Sequence, residues 1–147
     1  MSNENAISAL NNLIETCKDG QEGFRTAAEG LKDPQVKTQF LEYSRQREQM
    51  VRDLQQEVRR LGGVPEASGS MSGSMHRGWM NIKSAVTGRD DSAIIAEAER
   101  GEDVAKEAYD KAAKEQLPPT TRALVQQQSV LVHEAHNRVR ALEKMAK

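Results

Sequence analysis

Four long segments of this chain carry apolar residues at alternating intervals of three and four, and this spacing constrains the fold more than any other feature. Such a spacing places the apolar side chains on one face of a helix. Lys32-Asp33-Pro34 separates the first two segments, and Leu117-Pro118-Pro119-Thr120 separates the last two. Asp is a good N-cap and Pro suits the first helical position, so each break ends one helix and starts another. The pattern predicts two helical hairpins, with helices over about 3–32, 34–62, 90–117 and 120–146.

The composition favours an all-α fold. Hydrophobic residues make up 37% of the 147 residues and aromatic residues only 3%, so the core must be aliphatic and thin. Strands of sandwiches and barrels favour aromatic and β-branched side chains, whereas a helical bundle does not need them. The length suits one domain, and we predict a single four-helix-bundle domain over residues 1–147.

The connection between the hairpins, residues 63–89, is unusually long. Its first part is rich in Ser and Gly and predicts a loop, whereas Trp79, Ile82 and Val86 have helical spacing and predict a short amphipathic helix over about 76–87. Extended chain covers about 3.3 Å per residue, so this connection can run the roughly 42 Å length of such a bundle. Long crossovers of this kind are typical of ferritin-like bundles, which is the fold we predict.

The short helix has two interpretations. Trp79 is the only tryptophan of the chain and can cover one end or side of the bundle as a plug. Alternatively, the segment can form a partner-binding surface or an anchor on a membrane surface. The residues of that candidate partner surface are His76, Arg77, Trp79 and Ile82.

A polar layer interrupts the apolar stripes halfway along the helices. Arg47 occupies a stripe position of the second helix, and Gln21 lies at nearly the same height on the first. Arg47 lies 13 residues beyond Pro34, and the same count from Asp90 reaches the residue next to Glu102. If the second and third long helices run parallel, Arg47 and Glu102 share one level. We therefore predict a polar core layer of Gln21, Arg47 and Glu102, in which Arg47 pairs with Glu102.

Two glycines inside the first predicted helix, Gly20 and Gly23, should each weaken it by about 1 kcal/mol relative to alanine. One interpretation is a tolerated local weakness. The other is that a neighbouring backbone or side chain comes very close to this face.

Charge and cysteine content exclude several classes of function. The formal net charge is -1, so bulk attraction to nucleic acid or an anionic membrane is not expected. No apolar run approaches the roughly 18 residues of a membrane-spanning helix, and the N-terminal residues lack the pattern of a signal peptide. Cys17 is the only cysteine and lies on an apolar stripe, which predicts a packed thiol and no internal disulfide. We therefore expect a cytoplasmic protein.

Three local motifs resemble those of a known family. They are Asp19-Gly20 with Gly23-Phe24, His76-Arg77-Gly78-Trp79, and the run from Glu99 to Asp103. Together with the two hairpins, they resemble the DUF2383 family of bacterial ferritin-like four-helix-bundle proteins over nearly the whole chain. The resemblance implies the fold but no reaction, because the family is defined by a domain of unknown function.

A standard di-iron centre does not fit the sequence. It needs a Glu from each of two helices and a Glu-x-x-His from each of the other two. In the second helix Glu42 is followed by Arg45 where His is required, and three residues before His136 stands His133. The candidate metal ligands that remain are Glu99, Glu102 and His136.

The sequence thus favours a non-enzymatic ferritin-like protein, either stress-associated or an interaction protein, in which the polar layer replaces the di-iron site. We expect no cofactor, and an unknown protein partner or self-association. The alternative is an iron oxidase or iron-handling protein that holds iron or another divalent metal with a non-standard ligand set.

Overall fold

A computed structural model describes residues 3–65 and 78–146 of the chain. All regular secondary structure in these two ranges is helical, which confirms the predicted all-α class. The helices are α1 (Glu4–Gly30), α2 (Pro34–Arg60), α3 (Ile82–Gly88), α4 (Asp91–Ala113) and α5 (Pro119–Ala146).

Local chemistry explains where α2 begins and where α4 ends. The Asp33 carboxylate accepts hydrogen bonds from the backbone N–H groups of Gln35 and Val36, and Pro34 opens α2 as expected. At the other hairpin, α4 ends at Ala113, four residues earlier than predicted. The residues that follow Ala113 turn toward Pro118 and Pro119, which cannot continue a helix.

The short helix of the connection is displaced from its predicted range. It runs from Ile82 to Gly88, not from about 76 to 87, and residues 76 and 77 lie outside the described residues. Gly78 has a φ of +98°, a left-handed conformation that a right-handed helix does not contain. Trp79 is therefore held by a turn that precedes α3, and only Ile82 and Val86 of the predicted apolar face lie within the helix.

The four long helices pack around a shared core. α1 packs against α2 and α4, and α4 also packs against α5. α2 and α5 approach each other least closely among these neighbouring pairs. The order around the core is therefore α1, α2, α5, α4, with α2 and α4 on one diagonal, and α3 lies over α1 and α4.

Two hydrophobic clusters divide the core between its two ends. One joins the end of α1 to the starts of α2 and α4, and includes Phe24, Val36, Phe40, Ile94 and Val139. The other joins the start of α1 to the ends of α2 and α4, and includes Leu10, Leu13, Leu54, Val58 and Tyr109. α2 and α4 therefore begin at the same end of the core. The Asp91 carboxylate marks this end, where it accepts from the backbone N–H groups of Lys32 and Asp33 at 2.9 and 3.0 Å.

Within the described ranges, none of the helices combines the length and the apolar character that crossing a bilayer requires.

Candidate functional site

Arg47 of α2 and Glu102 of α4 form an ion pair across the diagonal of the core. Nη1 of Arg47 donates to Oε2 of Glu102 at 2.9 Å, and Nη2 donates to Oε1 at 2.5 Å. Both side chains are completely buried. Burial lowers the pKa of Arg47, but the charge and hydrogen bonds of Glu102 outweigh this effect and raise the pKa above its ordinary value. The guanidinium stays charged, and both carboxylate oxygens of Glu102 are occupied by it.

Helix α1 faces the guanidinium with a glycine, which has no side chain, and with an aromatic ring. A Cβ atom at Gly20 would lie 2.8 Å from Nη1 of Arg47. The Phe24 ring centroid lies 5.5 Å from Cζ of Arg47, within the range of a cation–π contact. The same ring contacts Trp79, with 5.0 Å between ring centroids. Phe24 therefore joins the ion pair to the tryptophan of the connection.

The indole of Trp79 occupies a slot between α1 and α4. A Cβ atom at Gly23 on one side, or at Gly101 on the other, would overlap the indole ring. The backbone of Gly78 also lies close to α4, since a Cβ there would lie 2.7 Å from the carbonyl oxygen of Arg100. Trp79 is only 1% exposed. Trp79 therefore covers one side of the bundle as a plug. Gly23 lies where a neighbouring side chain comes very close to α1.

A second row of buried polar groups crosses all four long helices. The Cys17 thiol in α1 lies 3.1 Å from the Tyr109 hydroxyl in α4. Tyr109 donates to Oε1 of Gln128 in α5 at 2.7 Å, and Nε2 of Gln128 donates to the carbonyl oxygen of Met50 in α2 at 3.2 Å. If the thiol donates to Tyr109, every group in the row has a partner and every hydrogen bond points the same way. The row is therefore a satisfied polar network inside an aliphatic core.

Burial controls the ionisation of this row. It raises the pKa of the Cys17 thiol, although the nearby Arg47 charge opposes the shift, and it raises the pKa of the Tyr109 hydroxyl well above its ordinary value. A thiol whose pKa is raised has little thiolate at neutral pH, and the thiolate is the nucleophile. Cys17 is therefore a packed hydrogen-bonding group with low nucleophilicity.

A family model described as "Domain of unknown function (DUF2383)" matches residues 5–115. The chain belongs to the DUF2383 family. The match spans α1 to α4 and contains both members of the ion pair, the tryptophan slot, and Cys17 and Tyr109 of the polar row. It confirms the resemblance seen in the motifs. A comparison with curated proteins found no match. The family description names no reaction, so the site of this DUF2383 protein has to be interpreted from its geometry.

Of the three residues predicted for the polar layer of this DUF2383 protein, the structure brings Arg47 and Glu102 into contact and leaves Gln21 apart from them. Within the described residues, Gln21 reaches α2 through its backbone carbonyl, which accepts from Oγ of Ser44 at 2.8 Å. Its side chain is half-buried. The neighbouring Gly20 occupies the position that faces Arg47, and one residue along a helix turns the side chain by about 100°. Gln21 therefore lies on the flank of α1.

The three candidate metal ligands are not brought together. Glu102 is held by Arg47 in the core, whereas Nε2 of His136 lies 2.6 Å from Oδ1 of Asp103 at the seam between α4 and α5. Within residues 3–65 and 78–146, no group of three His, Cys, Asp or Glu side chains is arranged to hold a metal ion. The predicted set of Glu99, Glu102 and His136 is therefore wrong as a common site, because α4 directs Glu102 inward and Glu99 toward α5. This donor set does not fit a di-iron centre.

Glu99 takes part in a charged contact of its own at the α4–α5 seam. A hydrogen bond with Glu143 raises the pKa of Glu99, with partial burial as a second cause. Nε of Arg140 lies 3.9 Å from the Glu99 carboxylate and partly offsets the effect. A neighbouring carboxyl group favours the protonated form of Glu99. We therefore expect the contribution of Glu99 to stability to depend on pH.

Two of the four residues of the predicted partner surface are buried in the structure. Ile82 is completely buried and Trp79 nearly so, so neither is available at the surface. The reason is the slot, since Gly23 and Gly101 leave room for a large ring between α1 and α4. The remaining members, His76 and Arg77, lie outside the described residues.

Sequence analysis missed the polar row as a connected unit. Cys17, Tyr109 and Gln128 each stand on an apolar stripe of their helix, which is the same signal that identified Arg47. Their heights along the helices, counted from the helix ends, are similar, and this similarity is the signal in the sequence that they meet.

Proposed function

We propose that this DUF2383 protein is a non-enzymatic ferritin-like bundle in which the Arg47–Glu102 ion pair takes the place of a di-iron centre. The observation that carries the proposal is the double hydrogen bond between the two side chains, which occupies both carboxylate oxygens of Glu102. In ferritin-like di-iron proteins, inward carboxylates of this kind bind the metals. In this chain a guanidinium supplies the positive charge.

The contacts at the helix ends support a ferritin-like path for the chain. α2 and α4 begin at the same end of the core, and Asp91 caps the turn between α1 and α2. We propose on this basis that the connection between the two hairpins is a long crossover of the ferritin-like kind. The diagonal placement of α2 and α4 agrees with this arrangement.

The buried pair has a structural role in this proposal. Taking two charges out of water is expensive, so a buried ion pair often adds little net stability over apolar residues of similar size. Its two parallel hydrogen bonds nevertheless require one rotation and one height of α2 relative to α4. The pair would thus specify how the two hairpins dock.

We place the protein in the cytoplasm as an interaction protein, with a role in stress. The chain has one cysteine, which is buried and free, so its fold needs no internal disulfide. With the ion pair, the polar row and the indole all buried, the outer faces of the helices are the surfaces that would bind a partner.

Metal retention tests the proposal. Untagged protein is incubated aerobically with ferrous iron, dialysed, and analysed for iron by mass spectrometry. We expect far less than one iron per chain, with no difference between wild type and Glu102→Ala. Glu107→Ala, which removes an exposed carboxylate from the same helix, serves as the matched control.

Near-stoichiometric iron in wild type that is lost in Glu102→Ala but kept in Glu107→Ala would overturn the proposal. That outcome would favour the alternative of an iron oxidase or iron-handling protein. Oxygen consumption during ferrous iron addition would then separate these two activities.

A further inference from the structure

Residues 78–89 form a strap over the α1–α4 seam, made of Gly78, the turn that carries Trp79, and α3. Helix α3 packs on α1 and on α4, and these two long helices also pack directly on each other. The seam between α1 and α4 therefore has contacts of its own that do not involve the strap.

Few side chains anchor the strap. Trp79 is nearly and Ile82 completely buried, and they are the only fully buried residues of the strap. Ala85 and Val86 are half-buried, whereas the rest of α3 is exposed. The strap is therefore held mainly by the ring in the slot and by one isoleucine.

Most hydrogen bonds of the strap join its own residues. The backbone N–H of Ile82 donates to the carbonyl oxygen of Trp79 at 3.1 Å, and that of Ala85 donates to the carbonyl oxygen of Asn81 at 3.0 Å. Toward α4, the N–H of Asn81 donates to Oε2 of Glu97 at 2.8 Å. Among the residues that the structure describes, this last bond is the one that has to break when the strap leaves the bundle.

Both ends of the strap have a left-handed backbone conformation. The φ angle is +98° at Gly78 and +54° at Arg89, and Arg89 is the one non-glycine residue with a positive φ in the described part of the chain. This conformation is unfavourable for a residue that carries a side chain. Hinges are a few residues at the ends of an element that absorb large changes in φ and ψ. Opening of the strap would let Arg89 leave its unfavourable conformation.

The strap covers the side of the core that holds the ion pair. The walls of the slot are Gly23 and Gly101, which have no side chains to fill it, so a cleft remains when the indole leaves. The ring of Phe24 contacts both the indole and the guanidinium of Arg47. In α4, Gly101 is followed directly by the carboxylate member of the pair. A path from solvent to the ion pair therefore runs through the slot, and Trp79 closes it.

We propose that the strap opens as a unit while the four long helices stay folded, and that this opening admits water and small solutes to the Arg47–Glu102 pair. Parts of a folded protein with few buried contacts open at a lower free energy than the whole. The closed strap keeps the two charges dry, where their attraction is strong, and the open strap lets water weaken that attraction. The strap thus controls how firmly the pair holds α2 against α4. This consequence rests on the structural role proposed for the pair, whereas the opening itself can be measured without it.

Thiol labelling under native conditions tests whether the strap opens on its own. Ile82→Cys places a thiol at a buried position of the strap, and the buried Cys17 of the same chain reports opening of the core. Leu54→Cys, at a completely buried position of α2, is the matched control. With iodoacetamide and peptide mass spectrometry, we expect position 82 to be labelled at least about tenfold faster than Cys17, and position 54 at a rate close to that of Cys17. Equal rates at position 82 and at Cys17 would overturn the inference, because the strap would then leave only when the bundle unfolds.

Arginine modification tests access to the pair without a thiol in the strap. Gly101→Ala pushes the indole out of the slot, whereas Gly88→Ala adds a methyl group where no atom lies within 4 Å. We expect butanedione to modify Arg47 at least about tenfold faster in Gly101→Ala than in Gly88→Ala, after division by the rate of Cys17 alkylation in the same protein. The exposed Arg52 should be modified at the same rate in both variants. An Arg47 rate that rises no more than the Cys17 rate would overturn the path through the slot. Neither measurement involves iron, so the test of metal retention stands or fails separately.

Discussion

The indole of Trp79 packs directly on the backbone of Gly101, so closely that even a methyl group at position 101 would overlap the ring. Gly23 makes the same contact from the opposite side. Two helices from different hairpins are thus shaped to hold one side chain of the segment that connects the hairpins. The ring also contacts Phe24, which in turn contacts Arg47. Disturbing the slot should therefore affect the ion pair.

A methyl group added to either wall of the slot should destabilise the protein. We expect Gly23→Ala and Gly101→Ala each to lower the free energy of unfolding by about 1–3 kcal/mol, the usual range for overpacking a core. This loss outweighs the gain of up to about 1 kcal/mol that alanine brings over glycine in a helix. Urea unfolding monitored by the fluorescence of Trp79 measures both the stability and the environment of the ring.

Gly88→Ala is the control for the slot variants. Gly88 is also helical, but a Cβ there would meet no atom within 4 Å. We expect no loss beyond about 0.5 kcal/mol for this variant. Equal stability of Gly101→Ala and Gly88→Ala would show that the indole is not held between the two backbones.

Removing one member of the buried ion pair should cost more than removing both. Glu102→Ala leaves the Arg47 charge buried without its partner, and we expect it to lower the free energy of unfolding by about 3–5 kcal/mol. The double variant Arg47→Met/Glu102→Leu replaces both charges by apolar side chains and should recover most of that loss. Chemical denaturation of wild type, Arg47→Met, Glu102→Leu and the double variant measures this non-additivity.

An exposed ion pair of the same helix provides the comparison. Arg52 lies 3.4 Å from Glu48, and both side chains are about half exposed. Glu48→Ala should cost at most about 1 kcal/mol, since water screens such pairs. A loss for Glu102→Ala no larger than that for Glu48→Ala would contradict the burial of the pair.

The hydroxyl of Tyr109 should matter because it stands in the middle of the polar row. Tyr109→Phe leaves Oε1 of Gln128 buried without its donor, which should cost about 1–3 kcal/mol. Tyr43→Phe is the matched control, since Tyr43 is half-buried and packs beside Phe24, outside the polar row. Thermal unfolding of the three proteins at one pH measures the difference. A similar loss in both variants would mean that the row contributes nothing specific.

The contact between Glu99 and Glu143 should make stability fall with rising pH. The pKa of Glu99 is raised in the folded protein, so its favourable contribution is complete below the unfolded pKa of about 4.3 and is lost as pH rises through the folded pKa. Glu99→Gln cannot ionise and should therefore gain stability relative to wild type as pH increases from about 4 to 7. Urea midpoints measured across that range give the difference at each pH.

Glu143→Gln should reproduce this pH dependence because it removes the other half of the same contact. Glu107→Gln changes an exposed carboxylate of α4 and serves as the control. A constant difference between Glu99→Gln and wild type over the whole range would contradict the raised pKa of Glu99.

The helices and one long-range contact were predictable because both follow from regular geometry. Apolar spacing and the prolines at positions 34 and 118 locate the helices to within a few residues at most ends. Each helical residue rises by about 1.5 Å, so equal counts along parallel helices give equal heights. This count predicted that Arg47 and Glu102 lie at the same height. It did not resolve rotation about the helix axis, which is why Gln21 was included and Gly20 was not.

The slot and the scattered metal candidates were beyond this kind of reasoning. The place of Trp79 depends on Gly23 and Gly101, which belong to different hairpins, and the sequence alone does not show that they face each other. Gly23 could mark either a tolerated weakness of the helix or a close approach by a neighbour, and only the packing of the indole against it decides between them. The metal candidates failed for a related reason: Glu99 and Glu102 are one turn apart on α4 but face different neighbours.

The hydrogen bonds from Cys17 through Tyr109 and Gln128 to Met50 draw one group from each long helix. A slip of about one helical turn in any of the four would keep its apolar stripe toward the core, but it would move the polar group by about 5.4 Å and leave a buried polar atom without its partner. Contacts between aliphatic side chains tolerate such a slip better, because the hydrophobic effect does not depend on direction as a hydrogen bond does. The row therefore favours the native alignment of all four helices over misaligned bundles that bury the same apolar area, because only the native alignment forms every hydrogen bond of the row.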